Sequence, residues 1–153
     1  MRRAVGTTGQ LLLGTVLLFT GTAHLTFARA EFRAQVPPWL PIDENVVVIA
    51  SGVVELCLAV ALLATWRQPA RGIVGAVTAA FFVAILPGNI AQFTEHRDGF
   101  GLDTDLARGV RLLFQPLLVL WALAVTDAVG TLRSWRRRPA NSRSRPPGHV
   151  PGP

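Results

Sequence analysis

Six polar side chains lie within otherwise apolar stretches of this sequence, and they are the groups that could do chemistry: His24, Glu55, Asn89, Gln92, Arg111 and Gln115. Glu55 sits near the middle of residues 45–66, NVVVIASGVVELCLAVALLATW, a run with the length of a membrane-spanning helix. At roughly 1.5 Å per residue its Cα lies about 14 Å from the start of that run, near mid-depth. A carboxylate there is expected to be neutral or to face partners inside a helix bundle. Arg111 and Gln115 are four residues apart and share a helix face, so Arg111 is the expected charge partner and Gln115 a bridge between the two. His24, Asn89 and Gln92 fall near the ends of their own runs, at similar depth to one another. Imidazole and carboxylate are the side chains that can exchange protons with a bound molecule. Two readings of this set stay open. It is polar glue between helices where lipid supplies no hydrophobic drive, or it is a polar pocket that opens to the outer face and takes a small molecule or quinone head group.

Those residues need helices to hold them. Half of the 153 residues are hydrophobic and 16 % are charged, with a mean hydropathy of +0.40, which is a membrane profile. Four apolar runs are expected to span, at about residues 8–28, 46–66, 72–93 and 108–129, giving an all-α integral membrane four-helix bundle over residues 1–130. A basic start, an apolar centre and Ala28-Arg29-Ala30 also fit a signal peptide, but the apolar region continues through Leu25 and Phe27, longer than a usual signal core. Between the first two spans, Pro37, Pro38, Trp39, Leu40 and Pro41 cannot be a helix interior and are expected to form a rigid interfacial turn, with Trp39 as the anchoring ring. Pro87 should kink the third span, leaving the carbonyl of Val83 without its usual partner. Gly14 and Gly21, one heptad apart, would let a neighbouring helix approach closely. Cys57 excludes an intramolecular disulfide and a cysteine-based metal cluster, so no metal is expected, and it reads as a small packing residue. His96 stands alone in a polar loop. Residues 131–153, rich in Arg, Pro, Ser and Gly, read as a disordered tail.

The fifteen basic residues are all arginine. Ten of them, Arg2, Arg3, Arg67, Arg71, Arg133, Arg136, Arg137, Arg138, Arg143 and Arg145, fall on one side of a four-span arrangement, which makes that side and both termini cytoplasmic. The opposite connections carry Glu31, Asp43, Glu44, Glu95, Asp98, Asp103 and Asp105. Short basic caps around apolar runs do not make a nucleic-acid surface. They do suit a bilayer, and the tail after Trp135 suits anionic lipid.

The order of these features resembles the DoxX family of bacterial four-span membrane proteins. The likeness rests on Gly21-Thr22-Ala23-His24, on Val36-Pro37-Pro38-Trp39-Leu40-Pro41, on Ser51-Gly52-Val53-Val54-Glu55-Leu56, on Leu86-Pro87-Gly88-Asn89-Ile90, and on Arg111-Leu112-Leu113-Phe114-Gln115 before Trp121. It covers about residues 21–122. The resemblance implies a four-helix bundle in the bacterial cytoplasmic membrane and a part in a thiosulfate:quinone oxidoreductase or an oxidative-stress complex. The chain has no flavin, haem or iron–sulfur motif, so electron transfer would need a redox partner subunit or a bound quinone. Three function classes follow: a small subunit of a quinone-linked oxidoreductase, a non-catalytic membrane scaffold, and a small-molecule or lipid carrier. The carrier has less in its favour, because four spans show no internal repeat, though a homo-oligomer could supply a pathway.

Overall fold

The computed structural model describes residues 2–137, with side chains from Val5 onward, and the only regular structure among these is helix, with no strand. The order is α1 (Arg2–Leu25), α2 (Arg29–Arg33), α3 (Glu44–Ala64), α4 (Ala70–Ala84), α5 (Leu86–Thr94), α6 (Asp105–Thr126) and α7 (Ala128–Arg136). Four stretches are long and apolar enough to cross a membrane: Val5–Leu25, Glu44–Ala64, Ala70–Thr94 and Asp105–Thr126. Their outward faces carry Leu12, Phe19, Val60, Leu113, Leu117 and Leu120, all exposed. Apolar outward faces of this kind are consistent with contact with lipid.

Capping sets the observed ends. The Asp43 carboxylate accepts from the amides of Asn45 and Val46 at 2.9 and 3.2 Å, which starts α3 earlier than its apolar run. Thr104 caps α6 by accepting from Ala107 N at 3.2 Å, again ahead of the apolar residues. Asp127, with φ 54°, turns left-handed and ends α6. The expected break in the third span falls at Ile85, which separates α4 from α5 and puts Pro87 in the first turn of α5.

Close approach organises the packing. A Cβ on Gly14 would meet Leu63 at 2.9 Å, and one on Gly21 would meet the carbonyl of Gly52 at 3.0 Å, so α1 and α3 touch nearly backbone to backbone. A Cβ on Gly75 would collide with the Thr126 side chain, and one on Gly72 with Thr131, so α4 lies as closely on α6 and α7. Leu13, Leu17, Leu58, Ala59, Leu62, Ala79, Phe82 and Ala122 make the main apolar core. A smaller core of Ala23, Ala28, Phe32, Val36 and Val48 lies under the connection after α1.

Two expectations need correction, and one short helix was not expected. The connection after α1 opens with the helical turn α2, because Phe32 packs into the smaller core and Arg29 donates to the carbonyl of Leu25 at 2.7 Å. Residues 131–136, read from composition as disordered tail, belong to α7. Thr131 is buried there, donating to Gln68 Oε1 at 2.9 Å and sitting on Gly72. The rest of the expected tail, residues 138–153, lies outside the described residues. Cys57 is exposed and does not pack inside.

Candidate functional site

Glu55 projects from α3 towards α1 and is 5 % exposed. Its Oε2 accepts from Thr20 Oγ1 at 2.6 Å and lies 3.5 Å from His24 Nδ1. Thr20 and His24 are one turn apart on α1, and the carbonyl of Thr20 is 2.9 Å from His24 Nδ1. A carbonyl only accepts, so that nitrogen carries the proton. Gly52, one turn before Glu55, explains the fit: a Cβ there would lie 2.7 Å from the Cβ of His24. Helix α1 can bring its imidazole to the carboxylate only because α3 has no side chain at that position.

From His24 a run of rings crosses the site. The imidazole stacks on Phe32, with centroids 3.3 Å apart and planes 17° apart. Phe32 meets Phe100 edge-on at 4.6 Å, and the guanidinium carbon of Arg111 lies 5.1 Å from the centroid of Phe100. The last residue of this series therefore links α6 to α1 through Phe32, in the connection after α1, and Phe100, in the loop before α6. Those loops are tied to each other: Arg97 donates to the carbonyl of Val36 and, at 3.1 Å, to Glu44, while the amide of Phe100 donates to Glu31. Buried Arg108 pins the second loop by donating to Asp98 at 2.6 Å and Asp105 at 2.8 Å.

Under these loops is a cavity of about 640 Å³, within the range of small-molecule sites. Among the six polar residues singled out by sequence, His24, Glu55, Asn89, Arg111 and Gln115 line it, together with Pro37 and Trp39 of the proline-rich loop. Gln92 is buried beside Gly99 and does not reach the cavity. Pro38 and Pro41 face outward. The walls towards the helix centres are apolar, from Val16, Leu17, Phe82 and Leu118.

Two expected contacts are absent among the described residues. Arg111 makes no ion pair with Glu55, whose carboxylate is taken by Thr20 and His24 from the adjacent helix. Gln115 does not bridge them; its Nε2 donates to the carbonyl of Phe82 at 2.8 Å. That carbonyl is in the last turn of α4, where helix termini leave acceptors without intrahelical partners, so the break at Ile85 created the demand Gln115 meets.

Sequence reasoning passed over Thr20, Phe32 and Phe100. The spacing of Thr20 and His24 was a usable signal, whereas nothing local marks which loop aromatics will meet. A polar group at the other end of the molecule was also missed. Gln10, 1 % exposed, donates to the carbonyls of Leu62 and Thr65 at 2.7 and 2.8 Å and accepts from Arg71 at 2.6 Å. Arg71 in turn donates to the carbonyl of Val125 at 2.6 Å. Helix α1 begins before its apolar run and so carries Gln10 into the packed region.

No curated protein and no solved structure matches this chain. A family model described as Domain of unknown function (DUF8561) matches residues 13–126, from the first core leucine of α1 to the end of α6. That span takes in the helices and both loops that build the cavity, and the chain belongs to this family.

Proposed function

We propose that this protein is a DoxX-like four-helix-bundle subunit of a quinone-linked oxidoreductase or oxidative-stress complex in the bacterial cytoplasmic membrane, and that its cavity takes the head group. The observation that carries the reading is the cavity itself: an apolar chamber within four candidate spans, with a Glu55–His24–Thr20 group in its wall. The residues suit a quinone, since the walls are apolar and the buried Gln35 Nε2, a donor that a quinone carbonyl can accept from, faces no protein partner. A bound quinone would supply electron-accepting chemistry, with electrons delivered by a partner subunit. The chain's own part is to orient the head group, to exclude water with the Phe32–Phe100 layer, and to hold a proton at Glu55 or His24. On the charge asymmetry, both termini are cytoplasmic, the cavity opens outward, and the tail meets anionic lipid.

The test uses the full chain in mild detergent. Small molecules and proteins that co-purify are identified by mass spectrometry, and binding of a neutral decyl-substituted benzoquinone is measured by calorimetry. Ser51→Phe, which fills the cavity from α3, should abolish that binding and leave the fold intact. Binding that survives Ser51→Phe, or no quinone binding to the parent chain, would overturn the quinone reading in favour of a scaffold or carrier.

A further inference from the structure

Three titratable side chains line the cavity: His24, Glu55 and Arg111. They are not equally satisfied. Glu55 is held by Thr20 and His24. Arg111, among the described residues, has neither a carboxylate nor a hydrogen-bond acceptor; its Nε is buried without a partner, and its guanidinium carbon rests over the Phe100 ring. A guanidinium has donors in a fixed fork and no way to lose its charge at ordinary pH, so burial without an acceptor oxygen is costly. Gln35, which also lines the cavity, carries a second buried donor, Nε2, with no protein partner, whereas the unpartnered atom of Asn89, a residue more than nine-tenths buried, is an acceptor, Oδ1. Apolar wall from Val16, Leu17, Phe114 and Leu118 completes the chamber. The two unpartnered donors, Arg111 and Gln35, therefore call for an oxygen acceptor, Asn89 Oδ1 calls for a donor such as a water, and the rest of the volume suits hydrocarbon.

We propose that the cavity selects single-chain amphiphiles whose head carries an anionic oxygen, a carboxylate or a phenolate, with Arg111 as the head-group anchor and Gln35 as a second donor. This deepens the ligand-site reading given above and rests on it, without requiring that the ligand be a quinone. Ser51 and Val48 on α3 line the same chamber, so the chain of the ligand would lie along α3. Glu55 is the one carboxylate in the lining. It opposes an anionic head and so sets a limit on affinity that Arg111 must overcome.

The test compares decanoate with decan-1-ol, which share a chain and differ in head charge, by calorimetry on the full protein in mild detergent at a pH where decanoate is ionised. Partitioning into detergent cancels when parent and variant are compared. The ratio of decanoate to decan-1-ol affinity should be about tenfold or more higher in the parent than in Arg111→Gln, the usual yield of a charge-assisted hydrogen bond. Glu55→Gln should tighten decanoate with decan-1-ol unchanged. A ratio that Arg111→Gln leaves unchanged overturns the proposal. If Arg111→Gln does not fold, Glu55→Gln decides, and unchanged decanoate binding in that variant overturns it too. The two readings fail separately: refusal of decyl benzoquinone beside an Arg111-dependent decanoate preference removes the quinone reading alone, and binding of decyl benzoquinone without such a preference removes the present proposal alone.

Discussion

Thr20 is the residue that holds the Glu55 carboxylate in place, through the 2.6 Å bond from its hydroxyl. Replacing it by valine keeps the shape and removes the donor, leaving a buried acid with one partner fewer. We expect Thr20→Val to lower stability by about 1–3 kcal/mol and Thr20→Ser to restore most of it, measured by thermal unfolding in detergent. The same contacts dictate how double replacements combine. Glu55→Gln with Thr20→Val should fall short of additivity, because both act on one bond, whereas Glu55→Gln with Arg111→Leu should add nearly in full. Strong coupling in the second pair would show that the guanidinium and carboxylate meet after all. Much of the site was visible in the sequence at this scale, since a polar residue inside an apolar run is conspicuous and His24, Glu55, Asn89, Arg111 and Gln115 do share a cavity. Partner choice was not visible. It depends on inter-helix register, which here follows from a glycine, Gly52, that brings His24 of α1 and not Arg111 of α6 to Glu55.

At the scale of elements, the apolar runs announced the four long helices, and Pro87 announced the break between α4 and α5. What composition hid was the behaviour of element ends, where a few hydrogen bonds outweigh hydropathy. Gln10, Gln68, Arg71 and Thr131 look like solvated polar residues in sequence, yet they join α1, α3, α4, α6 and α7 at one end of the molecule. Arg71→Met should leave Gln10 Oε1 without its donor and the carbonyl of Val125 exposed to an apolar side chain, costing about 1.5–3 kcal/mol. Gln10→Leu should cost a similar amount, and the double variant less than the sum, as read from detergent unfolding curves. Helix α4 offers a steric counterpart. A methyl group at Gly75 has no room beside Thr126, so Gly75→Ala should move α4 off α6 and lower stability by about 1–3 kcal/mol. An unchanged unfolding midpoint would mean that this helix pair is looser than its geometry.

For the whole molecule, the hydrogen bonds fix which ends of the helices lie together. Gln10 near the start of α1 reaches Leu62 and Thr65 at the end of α3, and Arg71 at the start of α4 reaches Val125 at the end of α6. Arg67, Arg71, Arg133 and Arg136 therefore collect at the same end as the start of α1. The opposite end gathers Glu31, Asp43, Glu44, Glu95, Asp98, Asp103 and Asp105, where Arg97 and Arg108 are engaged with Glu44, Asp98 and Asp105. Short connections rich in arginine stay in the cytoplasm during insertion, and acidic residues contribute little to that choice. The arginine-rich end should then face the cytoplasm, and the end with the cavity should face away from it. A reporter that is active only outside the cytoplasm should give signal when fused within residues 98–105 and none when fused at Gly148, and a reporter that is active only inside should give the reverse. Opposite signals at both positions would invert the molecule and open the cavity to the cytoplasm. Equal signals at the two positions would mean that an even number of crossings separates them, and the assignment of Asp105–Thr126 as a single span would have to be abandoned.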